Sequence, residues 1–292
     1  MSRLDMKIKK KYISLSIQFK RLVFSLTVHL SLIIVGMTMT LPFLWMLSTS
    51  FKERLRVMEV PLRWIPRPFV WEAYKNIFMK YPFELAYLNS FKITTFVVVG
   101  TLFTCSLAAY AFAKMRFFGR NYIFMFLLAT MMVPFQVTLI PMFILFNQIG
   151  WVNTHWPLMI PRILTNAFGV FLIRQFFLTV PNELLDAARV DGCSPLGIYW
   201  RIMFPLSMPV LATLAIFVFI WSWNDFLTPL IYLNDLEKFT VPLMVASLRG
   251  MYLENWPNLM AASCVALIPI IVIYFIGQRY FIEGIALTGI KG

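Results

Sequence analysis

Apolar residues run along the chain in six long blocks, at about Leu22–Leu47, 88–112, 121–145, Leu158–Ile173, 208–232 and 259–281, separated by more polar stretches. A helix needs roughly 20 mostly apolar residues to cross the hydrocarbon core of a bilayer. The pattern therefore predicts an all-α integral membrane protein with six transmembrane helices. Two blocks depart from it. Pro134 and Pro141 interrupt the third, which a membrane helix tolerates where its neighbours re-satisfy the freed backbone groups. The fourth carries Arg162, Thr165 and Asn166 and covers only about 24 Å at the helical rise. So short and polar a span is expected to be shielded from lipid and to border a pathway.

The interval Val180–Pro209 gathers acidic, basic, small and helix-punctuating residues between two apolar blocks, and it reads as two short helices meeting at an elbow. Asn182 is expected to cap the first, with Glu183 and Asp186 in its opening turn, where carboxylates favour the positive end of the dipole. Leu184, Leu185, Ala187, Ala188 and Val190 supply its apolar face. Gly192 stands where a helix stop needs a residue that accepts positive φ. Ser194 before Pro195 is a start signal, a capping hydroxyl ahead of the residue favoured at the first helical position. Pro205 and Pro209 are expected to end this second helix.

Charge orients the spans. Residues 1–21 form a basic arm with Arg3, Lys7, Lys9, Lys10, Lys11, Lys20 and Arg21 against Asp5, and such an arm belongs beside anionic lipid in the cytoplasm. The link carrying Lys114, Arg116 and Arg120 follows the same rule, so both termini and the elbow are expected to be cytoplasmic. The aromatic stretch 48–87 then falls outside, although its seven Lys and Arg run against the rule. The expected organisation is a basic arm at 1–21, a first transmembrane helix and outer loop at 22–87, a transmembrane core at 88–282 containing the elbow at 180–209, and a cytoplasmic tail at 283–292.

Composition excludes several function classes. The 292 residues are 60% hydrophobic and 13% charged, with mean hydropathy +0.76, far from the composition of a soluble domain. A formal charge of +13 would suit nucleic acid, but the basic residues flank apolar spans and form no continuous surface. Cys105, Cys193 and Cys264 lie far apart, with neither metal spacing nor a disulfide framework. The first apolar block exceeds the core of a signal peptide, and no small-residue cleavage site follows it. Neither His29 nor His155 has a second ligand or a nucleophile at a useful spacing, and no Walker loop is present to cradle phosphates. No paired acid lies deep in a span. The residues thus read as a transport body without its own ATPase site, catalytic residue, metal or cofactor.

One further polar feature is WSWNDF at Trp221–Phe226, near the outer end of the fifth block. It reads either as an aromatic belt at a membrane interface or as a sugar-handling or gating feature, since aromatic faces stack on sugars and Asn and Asp bind hydroxyls. Trp223, Asn224 and Asp225 are the candidate pathway residues.

The elbow resembles the loop by which permease subunits of ABC importers dock onto their ATPase partners. The matching residues are Asp186-Ala187-Ala188, Gly192 and Ile202-Met203-Phe204-Pro205, with Asp186 where that family has Glu and Phe204 where it has Leu. LPFLWMLSTSFK, LNSF with LAAYAFAKMRFFGR, MMVPFQVTLIPMFILFNQIGWVNT, WNDFLTPLIYL and the closing GIALTGIKG are similar to its carbohydrate branch, and nearest to the smaller maltose-type permease. The resemblance implies a heterodimer with a second permease, two cytoplasmic ATP-binding subunits and an extracytoplasmic solute-binding protein that delivers a sugar or oligosaccharide. It also implies that Glu183, Asp186, Ala187, Ala188, Asp191, Gly192, Ile202 and Pro205 dock the ATPase. Import of a glycerol phosphoester or a peptide on the same scaffold, and a stand-alone secondary carrier, are the rival readings.

Overall fold

The computed structural model describes the backbone of residues 3–251 and 255–289 and the side chains of 20–249 and 255–278. The arm's side chains before Lys20, and those of the tail at 283–292, lie outside the described residues. Every described element is helical. Four stretches are long and apolar enough to cross a membrane, Lys20–Ser50, Phe83–Lys114, Trp156–Thr179 and Trp256–Gln278, and the number rises to six if each of two bent helix pairs counts as one span.

Helix α1 (Arg3–Ser50) runs without a break from the basic arm through the first apolar block, and none of its most apolar window is buried within the chain. It packs along α14 (Trp256–Gly289), and its side chains from Lys20 to Phe43 are exposed within this chain while Thr49 and Ser50 at its end are buried. The stretch after α1 folds back on its end, with Phe51 stacked on Phe69 at 4.2 Å between ring centroids and Lys52 set 3.9 Å from the centre of the Trp45 ring. Helix α2 (Glu72–Met79) follows, and its Ala73 and Ile77 enter a core cluster with Phe83, Ala86, Trp223, Met244 and Ala261.

The centre of the molecule is α3 (Phe83–Lys114), which packs on α6 (Trp156–Leu164), α7 (Ala167–Thr179) and α11 (Met208–Trp223). Ile173, Phe177, Tyr199, Met203 and Leu214 are fully buried there. Gly169 permits the close crossing, because a Cβ at that position would stand 2.8 Å from the Cys105 sulfur and 3.0 Å from Leu214.

Three of the expected continuous spans are broken, each for a local reason. The third divides at Pro134 into α4 (Arg120–Ala129) with a 3-10 turn to Met132 and α5 (Phe135–Gln148), bent by 97°. Val133 takes the extended conformation that a following proline imposes. Pro141, by contrast, sits inside α5. The fourth divides into α6 and α7 at Thr165–Asn166, where the Asn166 side chain accepts from the Gly169 amide at 2.8 Å and caps the second half. The fifth, expected at 208–232, stops at Trp223 and resumes as α12 (Leu227–Tyr232), with Asp225 accepting from the Thr228 amide at 3.3 Å. Short polar side chains offer the backbone an alternative partner, so they divide a helix that hydrophobicity alone would continue. Helix α13 (Val241–Met251) precedes α14.

Candidate functional site: an elbow and a cleft joined by one helix

The elbow begins with α8 (Asn182–Val190). The N-cap is Pro181, with Asn182 the first helical residue, which corrects the expected capping role of Asn182. Its side-chain oxygen is instead the partner of Lys114, whose ammonium donates to it at 2.8 Å and to the Val180 carbonyl at 2.7 Å.

Helix α8 ends in a Schellman motif. The Cys193 amide donates to the Ala188 carbonyl at 2.9 Å and the Gly192 amide to that of Arg189 at 3.0 Å, with Gly192 at φ +79°. Ser194 then caps α9 (Pro195–Ile198) by accepting from the Gly197 amide at 3.1 Å. The second helix continues as a π turn at Tyr199–Met203 and a final turn, α10 (Phe204–Leu206). Pro205 lies one residue before the end of this helix at Leu206 and Pro209 lies in the first turn of α11, so the second helix ends between the two prolines and the chain bends by 74° into α11. Pro205 has no amide hydrogen, and its ring would meet the carbonyl four residues back. The turn before it is widened, with the Phe204 amide reaching back to the Tyr199 carbonyl.

Three contacts fasten this elbow to α3. Lys114 holds its entry, the Tyr110 hydroxyl donates to the Pro195 carbonyl at 3.1 Å, and the buried Ser106 and Tyr199 hydroxyls meet at 2.7 Å. The opposite face is open. Glu183, Asp186, Ala187, Asp191, Gly192 and Pro205 are exposed, Ile202 is half-buried and Ala188 is buried. Asp186 accepts from Arg189 at 2.7 Å. Leu184, Val190 and Leu196 are also exposed, at 48%, 88% and 63%.

At mid-length α3 borders a cleft of about 380 Å³, lined by Val97, Thr130, Arg162, Thr165, Asn166 and Trp221 among others. Arg162 donates to Asp225 at 2.8 Å, joining the polar fourth span to the break after α11. The candidate pathway residues take three different positions. Trp223 is 1% exposed, packed against Tyr87, Phe91 and Phe219, with its ring N–H donating to the Ala266 carbonyl at 3.1 Å. Asn224 is exposed and its amide donates to the Ile220 carbonyl at 3.0 Å. Asp225 is half-buried beside Arg162. Among the described residues no group of three His, Cys, Asp or Glu side chains could hold a metal ion.

Comparison with known proteins decides the family. Residues 100–286 match the model of the binding-protein-dependent transport system inner membrane component. The chain belongs to this family. As a member, the permease is a multi-pass transport component, and its relatives cover nearly its whole length. It is 36% identical over 254 residues to the arabinooligosaccharides transport system permease protein AraQ of Halalkalibacterium halodurans, covering 86% of this chain and 91% of the relative. It is 32% identical over 268 residues to the sn-glycerol-3-phosphate transport system permease protein UgpE of Yersinia pestis, covering 88% and 94%. Among solved structures it superposes with a TM-score of 0.76 and 26% identity on a chain of a bacterial ABC transporter involved in the import of the acidic polysaccharide alginate, covering 89% of this permease and 96% of that chain.

Lys114, Tyr110, Ser106 and Tyr199 at the elbow, and Trp221 and Thr130 at the cleft, are among the site residues that the sequence pattern does not assign to either site. Lys114 looked like one more positive charge in a short link. Trp221 stood two positions from Trp223 in a run where only burial tells the two apart.

Proposed function

We propose that this permease imports a sugar or oligosaccharide handed over by an extracytoplasmic binding protein, as one half of a heterodimer whose elbow docks a cytoplasmic ATP-binding subunit. The observation that carries the reading is the elbow itself, a rigid corner with a shut inner face and an open outer one. Leu184, Val190 and Leu196 expose apolar surface beside Glu183, Asp186 and Asp191 on a segment that joins two candidate spans. Apolar surface ringed by charge marks a protein interface. Movement of the ATP-binding subunits would swing this corner, and the three contacts to α3 would carry the swing to the cleft, giving alternating access. The sugar assignment is supported by the arabinooligosaccharide relative.

The test is to express the importer with both permeases and its ATP-binding subunit, and to replace Val190 and Leu196 with Glu. The expected result is loss of the ATP-binding subunit from the purified complex while the two permeases stay together in the membrane. Full retention of that subunit, with uptake of sugar at the normal rate, would remove the docking role. A specific observation also favours a second substrate class, since a relative equally well covered is a glycerol-3-phosphate permease. Uptake of arabinotriose against uptake of sn-glycerol 3-phosphate in proteoliposomes separates the two.

A further inference from the structure

The cleft beside α3 brings the polar interruption of the fourth span against Trp221 near the end of α11, some sixty residues later in sequence, and its Arg162 is paired with Asp225, which lies outside the lining. We propose that it is a subsite for one uncharged glycosyl unit, with Trp221 as the stacking platform and the Arg162–Asp225 pair as the element that admits hydroxyls and turns away anions. The inference rests on the sugar-importer reading and adds to it a place and a charge class for the ligand.

The cavity of about 380 Å³ falls within the roughly 300–1,000 Å³ of small-molecule sites. It lies beside the break in the fourth span, the arrangement in which membrane transporters expose backbone and polar groups to a solute. Trp221 is 49% exposed, yet its ring is held in place, with Phe217 stacked on it at 5.7 Å and Phe168 edge-on at 5.4 Å between centroids. A fixed, half-open indole is a surface for the C–H face of a sugar ring, and fixing it beforehand lowers the entropy cost of binding.

The polar groups around it match hydroxyls. Asn166 uses its carbonyl oxygen to cap α7, which leaves its amide hydrogens as donors. The Thr165 and Thr130 hydroxyls donate to the Pro161 and Leu127 carbonyls at 2.6 Å each, which leaves their oxygens as acceptors. A sugar hydroxyl both donates and accepts, so it can use each of these. The charge argument concerns Arg162. Its guanidinium has five N–H donors, and one end is committed to Asp225. The pair is electrically neutral as a whole, with the carboxylate side chain 13% exposed and the guanidinium 31%. An anion entering this cleft would find its cation already matched, and it would bring an uncompensated charge to membrane depth, where that is costly.

The experiment measures binding to the detergent-purified complete importer without its binding protein, so that the binding protein's own selectivity does not enter. Equilibrium dialysis with radiolabelled arabinotriose and trigalacturonate should show the neutral sugar bound and the anionic one not. Trp221→Ala should weaken arabinotriose binding about tenfold or more, and Trp221→Phe less. Asp225→Asn should uncover the guanidinium and raise trigalacturonate binding at least tenfold. The double variant Arg162→Gln/Asp225→Asn should lose that gained anion binding, which separates a charge effect from a folding defect. Equal arabinotriose binding by wild type and Trp221→Ala, or rejection of trigalacturonate by Asp225→Asn in an assembled complex, would overturn the subsite. If that happens while the complete importer still takes up arabinotriose, only the subsite fails. If wild type takes up sn-glycerol 3-phosphate and no sugar, the sugar-importer reading fails with it.

Discussion

Lys114, the last residue of α3, donates to the Asn182 side chain at 2.8 Å and so ties the central helix of the permease to the first residue of its elbow. The same ammonium also holds the Val180 carbonyl. The tie is electrostatic, short and placed where α8 begins, so it fixes the angle between the two helices.

Replacing Lys114 with Met removes both bonds while keeping the aliphatic stem. Hydrogen bonds from a charged donor are worth about 1.5–3 kcal/mol each in protected surroundings. This side chain is partly exposed, and solvent screening reduces the pair to about 1 kcal/mol in total. That is too little to prevent folding but enough to loosen a lever. Lys114→Met should assemble normally while the ratio of sugar taken up to ATP hydrolysed falls several-fold, and Lys114→Arg should recover part of it. An unchanged ratio in Lys114→Met would show that the tie plays no part in coupling.

Gly192 and Gly150 provide a matched pair. Both take positive φ, +79° and +72°, and a Cβ at either would meet nothing within 4 Å. Alanine should therefore cost each about 1 kcal/mol of backbone strain with no steric difference. Gly150→Ala should lower the thermal midpoint slightly and leave transport intact. Gly192→Ala should lower it equally and also reduce coupled uptake, and Gly192→Val more so. Equal transport by the Gly150 and Gly192 variants would mean the elbow is only a connector. Gly197→Ala, attractive from helix propensity, is a poorer control, because its Cβ would stand 3.2 Å from the capping Ser194 oxygen.

Acid should weaken the turn before α6. His155 shares a 2.9 Å hydrogen bond with the Lys238 carbonyl. Burial pushes its pKa below the usual value; the Lys238 carbonyl acts in the opposite sense, and the charges of Lys92 and Lys238 add to the depression. As pH falls past the ordinary histidine value of about 6.5 the unfolded chain takes up the proton first, so stability falls with pH in that window. Asp235, held low by hydrogen bonds from Lys238 and Asn153, adds a loss at still lower pH, as it too is protonated first in the unfolded chain. The thermal midpoint in detergent should drop between pH 7.5 and 5.5, and by less in His155→Gln. An identical drop in both proteins would exclude His155 as the cause.

The local chemistry of the elbow was legible in advance where one residue suffices to set a conformation. Gly192 and Ser194 act on the backbone within three residues of themselves, and nothing distant needs to be known. Asn182 is the first residue of α8 and not its cap, because Pro181 takes the extended N-cap conformation, and the Asn182 side-chain oxygen instead meets a lysine 68 positions earlier. Pro205 stands one residue inside the end of its helix, because the buried Tyr199, held by Ser106 of α3, sits in a π turn that widens ahead of the proline ring.

The six apolar blocks and the absence of a nucleotide loop follow from composition and spacing, because the length of a hydrophobic run and the sum of its transfer energies need no tertiary information. Where those blocks break, and which of two tryptophans two residues apart faces the cleft, depend on what the rest of the chain brings against them. Trp223 is buried because Tyr87, Phe91 and the Ala266 carbonyl meet it, and Trp221 is half-open because Phe168 and Phe217 leave part of its ring uncovered. Arg162 and Asp225 become a pair only when α6 is laid beside the end of α11. Hydrophobicity is a sum over neighbours in sequence, whereas an ion pair, a shared hydroxyl or a cleft is a relation between distant ones, and only the tertiary structure supplies it.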